Sequence, residues 1–273
     1  MNHEKRTLGF YLLAAFFALF VLFLYGPLSA ILILSFQGPD GGLTFPLNGV
    51  SLHWFGNLFE QQAVGDFGAS FRRSFALGLM VMAITVVVSL LAGLAFRRKF
   101  VGATPVFYLA VASLVVPSII VSLGIGVVFQ QLGLRPAWYS SGFGAHLTWT
   151  LPFGVLIMFA VFNRFSPAYE EAARDLGASS WQTFRHVVLP MIAPSLVGVG
   201  LFGFTLSYDE FARTLMTSGT YNTLPLEIYG MTTNVTTPVL YALGTVTTLF
   251  SFTVILGTLG SILYLRRRQA RIR

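Results

Sequence analysis

EAARDLGASSWQTFRHVVLP, residues 171–190, lies between two long apolar segments, and its reading decides how the rest of the chain is understood. It joins an acidic helix start, a glycine and a Leu-Pro exit. A polar helix-turn-helix-like stretch between membrane spans needs something to dock against. Ser166 and Pro167 are expected to open its first helix, because serine caps free N–H groups and proline is tolerated at the first helical position. Glu170 and Glu171 then fall in the first turn, where negative charge complements the helix dipole. Ala172 and Ala173 are small enough to let a partner surface approach the backbone. Gly177 suits the left-handed conformation that ends a helix. Ser179-Ser180-Trp181-Gln182 has the Ser-x-x-Gln spacing of a capping box and starts a second helix. That helix carries Phe184, Val187 and Val188 toward Pro190, where the next span is expected to begin.

Working outward, the 273 residues are 55% hydrophobic and only 10% charged. With a mean hydropathy of +0.74, this composition excludes a soluble domain of this size and indicates an all-α membrane protein. No cysteine is present, so disulfides and thiolate metal sites are excluded. The net charge of +7 does not indicate nucleic acid, because the basic residues cluster beside apolar segments as orientation signals do. Six spans of the ~20 residues that a bilayer core requires are expected at about 9–36, 75–96, 105–131, 146–163, 191–209 and 238–265. Lys5 and Arg6 precede the first, Arg97, Arg98 and Lys99 follow the second, and Arg266, Arg267, Arg268, Arg271 and Arg273 follow the sixth. Arg72, Arg73, Arg135 and Arg213 are assigned to the other side. The positive-inside rule then puts both termini and the loop 164–190 in the cytoplasm. The first apolar run is longer than the ~7–15 residues of a signal-peptide core, so it is read as a retained helix kinked at Gly26-Pro27. A single transmembrane domain over 1–273 is expected.

Residues 37–73 form the longest outer connection, in which SLHWFGNLFEQ reads as a membrane-surface helix bracing the first two spans, in preference to a docking surface. His53, with no second ligand at metal spacing, is an interfacial polar residue there, and no metal site is expected. Pro117 and Ser118 interrupt the third span and Pro152 the fourth. Broken backbone is tolerated at membrane depth only beside protein or a water-filled cavity. Pro117 and Ser118 therefore line a pathway or pack against a neighbour, with Gly93, Gly124 and Gly126 as points of close approach. Ser207-Tyr208-Asp209-Glu210-Phe211 ends the fifth span. Intramembrane carboxylates usually face a cavity or a cation, which makes Asp209 and Glu210 candidates for a solute path, unless Glu210 simply stands in headgroup water at the outer boundary. Tyr208 is a candidate for stacking on a cation, or an interfacial aromatic.

Glu171-Ala172-Ala173, Gly177, Val187 and Leu189-Pro190 fill every position of the EAA loop of ABC-importer permeases, which this stretch resembles, with valine for the usual isoleucine. The resemblance implies a type I ABC importer permease fold with six transmembrane helices working by alternating access. In that family the loop is a coupling helix seated in a groove of a separate ATP-hydrolysing subunit. Glu170, Glu171, Ala172, Ala173, Asp175, Gly177, Ala178 and Ser179 are the corresponding coupling residues. The region 206–211, the motif Thr223-Leu224-Pro225-Leu226-Glu227-Ile228-Tyr229 and His53-Trp54-Phe55 are most similar to the second permease subunit of spermidine/putrescine importers. Permeases for phosphonates, opines, ferric iron and thiamine share similar elements. The resemblance further implies two ATPase copies, a second and different permease subunit, an extracytoplasmic solute-binding protein and a bacterial inner membrane. ATP and Mg would sit on the ATPases, with no cofactor bound by this chain.

Two other classes find no support. A membrane-embedded enzyme would need a Gly-x-Ser-x-Gly elbow, a His-Glu-x-x-His helix or a phosphate-cradling loop, and none occurs. His3, His53, His146 and His186 stand apart, so no catalytic residue is assigned. An ion-coupled secondary carrier would show inverted repeats with charged midplane sites, and no such repeat is visible.

Overall fold

The computed structural model describes residues 7–59, 65–98, 100–234 and 237–270. Of the charges used above for orientation, Lys5, Arg6, Lys99, Arg271 and Arg273 lie outside the described residues, as do Glu60 and Gln61 of the expected surface helix. Every regular element described is helical, and Gln37 and Val50 form an isolated β-bridge.

The helices are α1 (Leu8–Leu34), α2 (His53–Asn57), α3 (Phe67–Phe96), α4 (Ala103–Ala112), α5 (Ser118–Gln131), α6 (Phe143–Asn163), α7 (Ala168–Asp175), α8 (Ser180–Thr183), α9 (Leu189–Tyr208), α10 (Leu224–Asn234) and α11 (Val239–Ala270). Widened π-turns, Trp138–Gly142 and Phe184–Val188, run directly into α6 and α9. Among the described residues, five helical runs are long and apolar enough to cross a bilayer: Leu8–Leu34, Phe67–Phe96, Trp138–Asn163, Ser180–Tyr208 and Val239–Tyr264.

The expected third span, 105–131, is not one helix. It divides into α4 and α5, each too short to cross alone. Pro117 is the cause: its ring displaces the carbonyl four residues back, it donates no N–H, and it biases Val116 to extended backbone. The fifth span also differs. Instead of starting near Pro190, the helical run begins at Ser180 and passes through the π-turn, which absorbs the discontinuity a proline without an N–H imposes. The surface helix expected in 37–73 is reduced to the five residues of α2.

The chain forms two compact units. The first comprises residues 1–65 and 230–250. Its α1 buries only Leu34, which suits a helix apolar on all sides and surrounded by lipid. After α1, Gln37 organises the irregular loop. Its amide donates to the carbonyls of Gly42 (3.1 Å) and Thr44 (3.4 Å) and accepts from Asn48 N–H (2.7 Å). Trp54 Nε1 donates to Gly38 O, and Tyr241 Oη donates to Leu43 O. One buried glutamine thus replaces the regular hydrogen bonds this loop lacks.

The second unit comprises residues 66–229 and 251–273. Its centre is the packing of α3, α6 and α9, around buried Met158, Phe162, Val188, Ile192 and Val199. In lipid, close packing rather than water expulsion drives such contacts, so small residues at crossings matter. A Cβ on Gly93 would meet the Phe162 ring at 2.8 Å, and one on Gly126 the Met216 carbonyl at the same distance. Gly124, the third expected contact point, faces open space. Thr85 and Thr150 share a buried hydroxyl hydrogen bond of 2.8 Å between α3 and α6. Pro152 leaves the Thr148 carbonyl without its helical partner; Ser113 Oγ, in the break between α4 and α5, lies 3.4 Å from that carbonyl but gives its hydrogen to Ala110 O at 2.7 Å.

Candidate functional site

Two regions carry the candidate residues. In the elbow 164–190, α7 opens at Pro167, which occupies the cap position and offers no side-chain acceptor. The expected Ser166 cap is thus not made at that position. Glu170 and Glu171 occupy the first turn and Arg174 the last, so both ends complement the helix dipole. The helix ends in a Schellman motif: Gly177 N–H donates to Arg174 O (2.8 Å) and Ala178 N–H to Ala173 O (3.0 Å), with Gly177 at φ +83°. Then Ser179 caps α8 reciprocally. Gln182 N–H donates to Ser179 Oγ (3.3 Å), while Ser179 N–H donates to Gln182 Oε1 (2.8 Å).

These caps hold a short surface open. Glu171, Ala172, Asp175, Gly177 and Ser179 are exposed, and Ala173 and Ala178 half-buried. Leu176 at the turn is 90% exposed and Trp181 64%, with Trp181 stacked on Phe184. Exposed apolar side chains held on a rigid polar turn are what a docking surface presents. Glu170 behaves differently, because it faces inward. Arg97, the C-terminal cap of α3, donates two hydrogen bonds to its carboxylate, at 2.8 and 2.6 Å. Those hydrogen bonds hold the Glu170 carboxyl below the usual carboxylate range and raise the Arg97 guanidinium above its ordinary value.

The second region follows α9. Tyr208 is buried, stacked on Phe204 and set edge-on to Phe71, so it is part of the packing in this conformation. Asp209 caps the C-terminus of α9 and is exposed. Glu210 is half-buried, its Oε1 accepting from Arg213 N–H at 2.9 Å. Pro117 is exposed at the start of α5, and Ser118 half-buried. Ser118 lies one turn before Ser122, whose hydroxyl donates to Arg213 O (2.9 Å) and accepts from Met216 N–H (3.0 Å). The structure therefore brings α5 against the loop that Asp209 and Glu210 begin.

That loop is held by residues the composition did not single out. Arg213, assigned above to the outer side, is fully buried. Its Nη1 donates to Thr148 Oγ1 at 3.4 Å, and its guanidinium carbon lies 4.9 Å from the Trp149 ring centre. His146, also buried, bridges Ser207 Oγ through Nδ1 (2.8 Å) and Thr214 Oγ1 through Nε2 (3.0 Å). Thr214 spends its hydroxyl hydrogen on Glu210 O (2.7 Å), so it accepts from Nε2–H, and Ser207 donates to Nδ1. Ser141 donates to Thr217 O. Glu227, in the Leu-Pro-Leu-Glu motif, accepts from Asp66 N–H and from Asn222 Nδ2. The only sequence signal for this arrangement is hydroxyl and basic residues inside apolar runs.

Among the described residues no cluster of His, Cys, Asp or Glu is arranged to hold a metal. A groove of about 660 Å³ runs between α3, α9 and α11, past Met82, Gly200, Phe204 and Val254. It presents no charged group and does not coincide with the carboxylates.

Residues 85–270, from the middle of α3 to the end of α11, match the family model of binding-protein-dependent transport system inner membrane components. The chain belongs to that family. As an inner membrane component of this kind, it is 27% identical over 248 residues to the spermidine/putrescine transport system permease protein PotC of Haemophilus influenzae, covering 90% of this chain and 94% of the relative. It is 26% identical over 259 residues to the putrescine transport system permease protein PotI of Escherichia coli K12, covering 92% and 90%. A bacterial ABC transporter involved in import of the acidic polysaccharide alginate shares the fold, at TM-score 0.66 and 16% identity, over 96% of this chain and 99% of that one. The MetNI methionine ABC transporter, in inward-facing form, matches at TM-score 0.56 and 16% identity, over 73% and 95%. The inner membrane component is thus a type I ABC importer permease by fold.

Proposed function

We propose that this chain is one of two permease subunits of an ATP-driven importer for a polyamine such as spermidine or putrescine. The observation that carries the reading is the elbow itself: a short helical turn, capped at both junctions, that exposes Leu176 and Trp181 beside Glu171. Nothing in a solvated connector requires that rigidity. Two ATPase copies bind Mg-ATP and seat such elbows from the cytoplasm, where both termini of this chain also lie. A second, different permease completes the path, and a solute-binding protein delivers cargo from outside. No cofactor is assigned to this chain, and hydrolysis belongs to the ATPases. Glu171, Ala172, Ala173, Asp175, Gly177, Ala178 and Ser179 form the contact surface, and Glu170 supports it from behind.

Names of relatives at 26–27% identity favour a polyamine, and the chemistry of α9 agrees. Asp209 stands at a helix C-terminus, where the peptide dipoles already present partial negative charge. A carboxylate there is unfavourable alone and is relieved by a passing cation. Glu210 adds a second carboxylate, with Pro117 and Ser118 on the neighbouring helix of the path.

The test is uptake of radiolabelled spermidine by the assembled importer in proteoliposomes. Asp209→Asn is expected to raise the half-saturating concentration while leaving cargo-stimulated ATP hydrolysis near wild type. Uptake unchanged at every concentration removes Asp209 from the path. Uptake of a phosphonate with none of spermidine overturns the substrate class.

A further inference from the structure

We infer that Arg97 is a positioning residue of the coupling device: with Glu170 it pins the coupling helix α7 to the ends of α3 and α6, so that the three move together. The inference rests on the elbow being the point where ATPase motion enters. It concerns how that motion continues into the bundle.

The geometry is that of a three-way joint. Arg97 caps α3, and its guanidinium forks onto the Glu170 carboxylate through Nη1 and Nη2. The same guanidinium lies 5.2 Å from the Phe162 ring centre and 5.4 Å from that of Phe165. Phe162 belongs to the buried core of α6 and is the ring against which Gly93 of α3 packs. Both charged side chains are largely shielded, at 22% and 14% exposure. Shielding distinguishes this pair from exposed surface ion pairs, which contribute little. It is also the one salt bridge among the described residues.

A two-pronged contact fixes orientation as well as distance, and the aromatic faces stop the guanidinium from following α7 independently. The rest of α7 packs on α8 and the π-turn, elements of the elbow itself. Without the pin, a push on Leu176 would turn α7 on α8 and the π-turn instead of displacing the end of α3, while a push on Trp181 would still reach α9, into which the π-turn runs. Arg97 and Arg98 also fit a simple orientation signal, but such a signal needs neither the fork nor the aromatic seat.

The experiment places spin labels at Ala168, exposed on α7, and Leu91, exposed on α3, in the complete complex, and records their distance distribution with and without Mg-ATP. In an otherwise wild-type complex the distribution is expected to stay narrow and unchanged, because the two helices move as one body. In Glu170→Gln and in Arg97→Lys, which keeps the charge but lacks the fork, it is expected to broaden and to shift on ATP binding. Spermidine taken up per ATP hydrolysed should fall below wild type, because motion of α7 is no longer passed to α3. A shift in the wild-type pair as large as in the variants, or variants as narrow as wild type, overturns the pin. Failure of any ATPase to co-purify overturns the functional reading instead, while the nucleotide-free distributions still decide whether Arg97 holds α7.

Discussion

The elbow at 164–190 and the loop at 209–223 are both irregular polar segments following long apolar helices, yet they are completed differently. The elbow satisfies its backbone locally: Gly177, Ala178, Ser179 and Gln182 find partners within five residues. The loop also makes local turns, such as Thr214 N–H to Phe211 O and Ser218 N–H to Thr214 O, and adds partners from long range. The Arg213 carbonyl takes the hydroxyl of Ser122, 91 residues away, and the Thr217 carbonyl that of Ser141, 76 residues away. A segment that must present itself to another protein can be finished by its own caps and left exposed. A segment with buried polar groups must be finished by its neighbours as well, because no water reaches those groups.

The largest effect expected from breaking this contrast is in the loop. Arg213→Ala opens a cavity beside Trp149 and removes the donor to Thr148, at a cost of about 3–5 kcal/mol by analogy with large-to-small core changes. Thermal unfolding of the detergent-solubilised complex reads it directly. Arg213→Met, which restores most of the volume without charge, separates packing from electrostatics: recovery of the midpoint assigns the cost to packing. A midpoint unmoved by Arg213→Ala would mean that the loop is not held by its buried residues.

The same comparison explains what was legible in the sequence. The Schellman turn and the capping box were readable because their physics is contained in a few adjacent residues, Leu176-Gly177-Ala178 and Ser179 to Gln182. The spans were readable from length and apolarity, and the break at Pro117 from the covalent limits of proline, though not that it splits the third span into α4 and α5. The burial of Arg213 was not legible because counting charges along the chain sees only sequence neighbours. Its environment is made by Ser122, Thr148 and Trp149, which folding alone brings together. Glu170 and Glu171 looked equivalent in the first turn, and only the position of Arg97 separates them. Gln37 is a similar case, since nothing adjacent to it announces a buried loop organiser.

A smaller effect is expected in the elbow. Gly177→Ala meets no neighbouring atom, so its cost is backbone strain alone, about 1–2 kcal/mol for a side chain in the left-handed region. Because that strain is confined to an exposed turn, the unfolding midpoint of the complex should fall by less than in Arg213→Ala, while ATPase affinity for the membrane subunits falls in a pull-down titration. A midpoint lowered as far as by Arg213→Ala would erase the distinction between a self-contained elbow and a neighbour-dependent loop.

The most direct test of the central claim uses the absence of cysteine from the chain. A single cysteine at Leu176, the most exposed apolar side chain of the elbow, is a unique chemical reporter. During ATP turnover it should cross-link to the ATPase subunit and stay protected from a membrane-impermeant maleimide added on the periplasmic side. Labelling from that side, with no cross-link to any nucleotide-binding subunit, would contradict the account.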